Sequence, residues 1–166
     1  MAATTYTVNV GKTQQSVDLV QEKLAPQYLG GLRFAYFKCT AAGSGTVAAT
    51  AVVTLPAGSL SIFPGLCSFF CSDAGASATL DVGYAAHTDE TGTAVNAAGD
   101  EILDGKDISS TPGVFAGGSG TNAGDRVILS LNSQSGIDIT VTVAGGDVDT
   151  SDILEGCIVY SGGTAN

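Results

Sequence analysis

"GIDITVTVAG", residues 136–145, is the stretch whose reading decides the fold. Ile137, Ile139, Val141 and Val143 fall on one side of an extended chain, and Asp138, Thr140 and Thr142 fall on the other. Successive side chains of a strand point to opposite faces, so this period of two marks a strand with one buried face and one wet face. Just upstream, "RVILSLN" (126–132) is a second candidate strand, and "SQS" (133–135) separates the two. Together they read as a hairpin.

The same period runs outward in both directions. "RFAYFKCTA" (33–41) is closed by "AGSG", "TVAATAVVTL" (46–55) is stopped by "PAG", and "ATLDVGYAA" (78–86) and "GCIVYS" (156–161) follow. "LSIF" (60–63) and "LCSFFCS" (66–72) flank Pro64-Gly65, which should break or bulge a ladder. In the second of these, Leu66 and Phe70 share one face while Cys67, Phe69 and Cys71 share the other. A strand apolar on both faces is covered twice, once by its own core and once by an N-terminal segment or a neighbouring subunit. About eight short strands without a long helix predict an all-β chain, a single-domain β-sandwich or jelly roll over residues 31–166. Residues 1–30 form a separate N-terminal arm, in which "TYTVNV" alternates and "SVDLVQEKLAP" carries Val17, Val20 and Leu24 near helical spacing. Within the acidic stretch "AAGDEILDG" (97–105) the expectation is a short loop-helix insertion, one or two helical turns ended by Gly105 in the left-handed region.

Hydrophobic residues make up 44% of the chain and charged residues 13%, with 23 glycines and no tryptophan. A charged share near 25% is usual, so Ala, Gly, Ser and Thr must form much of the surface. The net charge is −10, and its distribution is uneven. Residues 1–72 hold four basic groups against two acidic ones, whereas residues 73–166 hold two against fourteen. Such a field repels phosphate, so a nucleic-acid partner is not expected. No run approaches the roughly 18 apolar residues that cross a bilayer, and "MAATTYTVNV" has no export-signal pattern, so the expectation is no membrane and synthesis in a reducing cytoplasm with free thiols.

The candidate chemistry is sparse. His87 is the only histidine; it stands near Asp89 and Glu90, but no Gly-x-Ser-x-Gly elbow accompanies it, and one imidazole cannot assemble a multi-histidine metal site. Cys67 and Cys71 lie four apart on a strand, roughly 13 Å from each other by the rise per residue, too far to share a zinc ion. Asp89, Glu90, Asp100, Glu101, Asp104 and Asp107 lack the spacing of a calcium loop. The expectation is therefore no catalytic residue, no metal and no cofactor. The weakly basic first part is where an acidic protein partner would dock, and the candidate partner-binding residues are Tyr6, Val8, Lys12, Lys23 and Arg33. The carboxylates of residues 87–107 are expected to form a solvated rim on the side away from the partner.

From "TLPAGSL" through "ATLDVGYAA", the acidic "GDEILDG", "RVILSLN", "GIDITVTVAGG" and "EGCIVYSGG", roughly residues 46–162, the chain resembles the small β-rich head decoration, or capsid cement, proteins of tailed phages. The resemblance implies a jelly-roll homotrimer on the virion capsid surface. It would bind the major capsid protein from outside the head shell, brace the shell, and carry no catalytic residues. Other readings are a tail, baseplate or fibre module, or a carboxylate-based hydrolase.

Overall fold

The period-two stretches become strands in a computed structural model that describes residues 6–8, 31–72, 74–109, 112–118 and 127–162. The strands are β1 (Tyr6–Val8), β2 (Leu32–Ala41), β3 (Gly45–Leu55), β4 (Gly58–Ile62), β5 (Ser68–Cys71), β6 (Thr79–Tyr84) and β7 (His87–Thr88). They continue with β8 (Ala94–Val95), β9 (Ala98–Asp107), β10 (Gly113–Ala116), β11 (Leu129–Ser133), β12 (Ile137–Val148) and β13 (Ile153–Gly162). Sheet I runs β1-β2-β13-β4-β11, and β5 also pairs with β13 and carries β10 on its other side. Sheet II runs β3-β12-β6-β9, and β7 and β8 form a separate ribbon. If β4 and β5 count as one interrupted strand and β10 and β11 as another, and β1 is set aside as an addition at the edge beside β2, each sheet has the four-strand interleaving of a jelly roll. The chain is thus an all-β sandwich, as its alternation predicts. "SVDLVQEKLAP" lies outside the described residues.

The core forms where the two inner faces meet. Phe37, Cys39, Phe69, Leu154 and Ile158 of sheet I are buried, as are Leu80, Val82, Ile137, Ile139, Val141 and Val143 of sheet II. Pro64-Gly65 interrupts the ladder as expected: Pro64–Leu66 is a 3₁₀ turn between β4 and β5. On the side facing β4 and β5 the interruption leaves Ile158 and Val159 of β13 without a strand partner, while β2 stays paired on the other side. Cys67 fills that gap, its Sγ accepting from the Val159 N–H at 3.4 Å and lying 3.4 Å from the Phe63 carbonyl, to which it donates.

Two local expectations are corrected. The stretch 97–105 is not helical; from Ala98 on it belongs to β9, the edge strand of sheet II. Ile102 and Leu103 are adjacent and both fully buried, a pattern that reads as a helix face in sequence. A bulged strand reaches the same result. Val82 pairs with Leu103 and Leu80 with Lys106, so β9 holds an extra residue there, and Gly105 supplies φ +58. The left-handed glycine is present, but it makes a bulge rather than a helix stop. The second correction concerns residues 126–145. β11 and β12 are not a hairpin; β11 pairs with β4 in sheet I and β12 with β3 and β6 in sheet II. The connection crosses the sandwich edge at Gly136, whose φ is +103 and where a Cβ would stand 2.7 Å from the Leu55 carbonyl oxygen. Ser133 locks the turn by donating to the Gly136 carbonyl at 2.7 Å.

Gly83 lets β9 approach β6 closely. A Cβ there would stand 2.0 Å from the Ala98 carbonyl oxygen and 2.4 Å from the Gly99 carbonyl carbon, both backbone atoms that cannot swing away. Gly83→Ala should therefore cost about 1–3 kcal/mol in urea unfolding, the range of an overpacked core site. Gly99→Ala, where nothing lies within 4 Å of the added carbon, should be close to neutral. Equal effects would contradict this packing. Cys67→Ala should cost about 1–3 kcal/mol because the Val159 N–H loses its acceptor. Cys67→Ser should recover part of that loss; if Ser is no better than Ala, the sulfur is only a space filler.

Candidate functional site

Directly paired residues in an antiparallel sheet share a face, so the registers map the outer surface of sheet I. One row crosses four strands as Tyr36, Cys157, Ser68 and Ala116. The next is Lys38, Glu155, Phe70 and Val114, and Phe34 stands opposite Val159. Phe34 is 36% exposed and Val114 74%. The outer face is therefore aromatic and aliphatic around one ion pair, Lys38 to Glu155 at 2.5 Å. Tyr36 also bonds Glu155; burial first, and then that bond and the carboxylate charge, push the phenol up to about 12. The pair leaves this surface without net charge.

Sheet II presents the opposite surface. Its strands hold Asp81, Asp100, Glu101, Asp104, Asp107, Asp138 and Asp147 against one base, Lys106. The strands of sheet I hold one acid, Glu155, against Arg33 and Lys38. The large apolar side chains exposed among the described residues divide the other way. Phe34, Leu66, Val114, Val127 and Ile128 all lie on sheet I strands or on the segments entering them. Lys106 reaches over the Phe115 ring at 5.2 Å and closes the sandwich edge between β9 and β10.

The acidic stretch 87–107 forms β7, β8 and β9, and its carboxylates are half-buried or exposed. In the β7–β8 ribbon, Asp89 Oδ1 accepts from the Thr91 N–H at 2.8 Å, the Thr91 hydroxyl at 2.7 Å and the Thr93 N–H at 2.8 Å. These bonds, the Thr91 side chain foremost, hold the Asp89 carboxyl below the usual aspartate range. Glu90 accepts from the Ser59 hydroxyl at 3.2 Å, and the Gln134 N–H donates to the Thr88 carbonyl at 3.1 Å, so the ribbon is fastened to sheet I. Asp81 accepts from the Gly105 N–H at 2.6 Å; burial still raises its pKa, and the charges of Asp104 and Asp100 add to that.

His87 is half-buried against Tyr84, ring centroids 5.6 Å apart, with Nδ1 3.1 Å from the Ala85 carbonyl oxygen and Nε2 enclosed. Cys39, Cys67 and Cys71 are buried thiols outside any disulfide, with burial pushing Cys39 up to about 12 and Cys67 up to about 11. No group of three or more His, Cys, Asp or Glu among the described residues converges as metal ligands.

The predicted partner-binding residues do not form one cluster among the described residues. The backbone register sets Tyr6 opposite Ala41 and Val8 opposite Cys39. Arg33 pairs with Tyr160 and shares the side of Ala35, at the end of the core rather than on the outer face. Lys12 and Lys23 lie outside the described residues. Phe34, Tyr36, Val114 and Glu155, which the registers bring together on the outer face of sheet I, were not among the residues predicted from the sequence. The signal was available in "RFAYFKCTA", where aromatic residues occupy both faces of one strand.

No family model matches the chain, and no curated protein matches it. Among solved structures it is similar to the "Cyanophage Pam1 capsid asymmetric unit", with a TM-score of 0.45 and 15% identity over 78% of this chain and 84% of that one.

The Asp89 turn gives a pH prediction. A depressed carboxylate stabilises the ribbon above the ordinary aspartate range, and that contribution disappears as pH falls through the lower folded-state pKa. The Thr91 and Thr93 amide resonances should move together on acidification, with a midpoint below that of an unperturbed aspartate. Asp89→Ala should abolish the step; if it persists there, the turn is held by other groups.

Proposed function

We propose that this chain is a virion structural protein of the head-decoration kind. It docks through the outer face of sheet I onto the outside of a phage head shell, with its major capsid protein as partner. Sheet II faces solvent. The observation that carries the reading is the separation of surfaces, with the exposed large apolar residues on sheet I and the strand carboxylates concentrated on sheet II. Apolar exposure on one side marks an adhesive patch, and like charge on the other keeps the particle dispersed.

The sequence resemblance to decoration proteins supplies the shell as the partner and the homotrimer as the working state. Three linked faces engaging together raise the effective concentration of each, so shallow contacts suffice. The reading includes no catalytic role. His87 has Nδ1 beside a backbone carbonyl and Nε2 enclosed, an arrangement that suits a structural side chain better than a base.

The test is co-sedimentation with expanded, undecorated heads. Phe34→Ala combined with Phe70→Ala should lower occupancy about tenfold or more, since truncated aromatic anchors cost over 1 kcal/mol each. Asp104→Asn combined with Asp107→Asn, on sheet II, should leave it unchanged. Full binding by the aromatic variant would defeat the assignment of this face.

A further inference from the structure

Asp104-Gly105 is the one Asp-Gly step in the sequence, and there is no Asn-Gly. Such a step is chemically unstable in a flexible chain. The glycine nitrogen attacks the carboxyl carbon of the Asp side chain, a C–N bond forms, and water leaves. The resulting succinimide ring then takes up water. Opening at the former main-chain carbonyl sends the chain through the side-chain carboxyl, as isoaspartate. The water lost is regained, the mass is unchanged, and nothing is oxidised or reduced. The main chain becomes one carbon longer.

Neither crowding nor burial protects this step. Gly105 is exposed and Asp104 is half-buried. Nothing lies within 4 Å of the place a Gly105 Cβ would take, and glycine itself has no side chain to hinder the attack. The fold instead fixes the direction of the amide. Gly105 adopts φ +58 in the bulge of β9, and its N–H donates to Asp81 Oδ1 at 2.6 Å. Asp81 stands in β6, which is paired with β12 on its other side. A hydrogen bond to a carboxylate is among the stronger ones. Burial, and then the charges of Asp104 and Asp100, work against an ionised Asp81, while the Gly105 bond works for it. A carboxylate at this position is not explained by stability alone.

We propose that Asp104-Gly105 is a latent site of isoaspartate formation, and that Asp81 guards it by holding the Gly105 amide away from the Asp104 side chain. Ring closure needs the Gly105 nitrogen to turn toward Asp104 Cγ, and the bond to Asp81 must be given up first. The pairs Val82–Leu103 and Leu80–Lys106 lie on either side of the step. An extra main-chain carbon between them would put β9 out of register with β6. The inference does not depend on shell docking.

The test is to age the full chain at neutral pH and physiological temperature. Isoaspartate is measured by enzymatic methylation and by peptide mapping across Asp104. A capped peptide, Ile-Leu-Asp-Gly-Lys-Asp, is the unguarded reference. The folded chain should isomerise about tenfold more slowly than the peptide, and Asp81→Ala should recover most of that factor, equivalent to about 1.4 kcal/mol of barrier. Asp81→Asn, isosteric and still an acceptor but uncharged, should fall between. Cys67→Ala controls for overall stability, since it weakens the fold within sheet I and leaves the Gly105 bond in place. The proposal is overturned if the folded chain ages as fast as the peptide, or if neither Asp81 variant ages faster than the unchanged protein. It is overturned equally if Cys67→Ala ages as fast as Asp81→Ala, because transient unfolding would then expose the step. A slower rate in Asp81→Ala would also overturn it, since the carboxylate would then be taking the amide proton and promoting closure.

Discussion

The register of β12 between β3 and β6 is the constraint on which the rest of the molecule depends. Ile137, Ile139, Val141 and Val143 are at most 1% exposed, and each alternates with a residue of the acidic or threonine-rich outer face. A slip of one residue would bring Asp138 and Thr142 into the core and drive four apolar side chains into water. Full burial of a Val or Ile is worth about 1.5–3 kcal/mol, so the slipped state lies far above the native one. With β12 pinned, Tyr84, Val82 and Leu80 are pinned beside it, and β6 in turn sets where β9 and the ribbon can lie.

The two sheets solve different problems on their outer sides. Sheet II accepts carboxylates because they pair with nearby groups. Thr54 donates to Asp138 at 2.5 Å and Gly105 to Asp81 at 2.6 Å. Sheet I keeps Phe34, Phe70 and Val114 outward with a single internally neutralised ion pair among them. An exposed ion pair of this kind adds at most about 1 kcal/mol of stability. Its larger effect is to leave the apolar face electrically quiet beside an otherwise acidic molecule. This contrast lies in the outer faces alone; the inner faces of both sheets are equally apolar.

Close approach governs the details. Phe37 and Phe69 tilt against each other at 6.4 Å over Gly156, where a Cβ would meet Phe37 at 2.3 Å. Cys67 takes the place of a missing ladder partner for Val159. Residues that composition alone would class as neutral filler, small glycines and an uncharged thiol, set how nearly the strands can pack.

From the sequence alone, the β class, most strand cores, the break at Pro64-Gly65 and the two-faced character of "LCSFFCS" were legible, because period-two alternation is a local property of consecutive residues. The lopsided charge was legible too, as a count along the chain. Only the tertiary structure assigned strands to sheets. Alternation says which side of β11 and β12 is buried but not whether they share a ladder, and Gly136 sends them to opposite sheets. It also decided that Ile102 and Leu103 are both buried by a bulged strand and not by a helix, since adjacent burial arises from either geometry until a partner strand sets the register. And it gathered Phe34, Tyr36, Phe70, Val114 and Glu155, separated by many residues, onto one surface, because a face exists only once strands distant in sequence are hydrogen-bonded side by side.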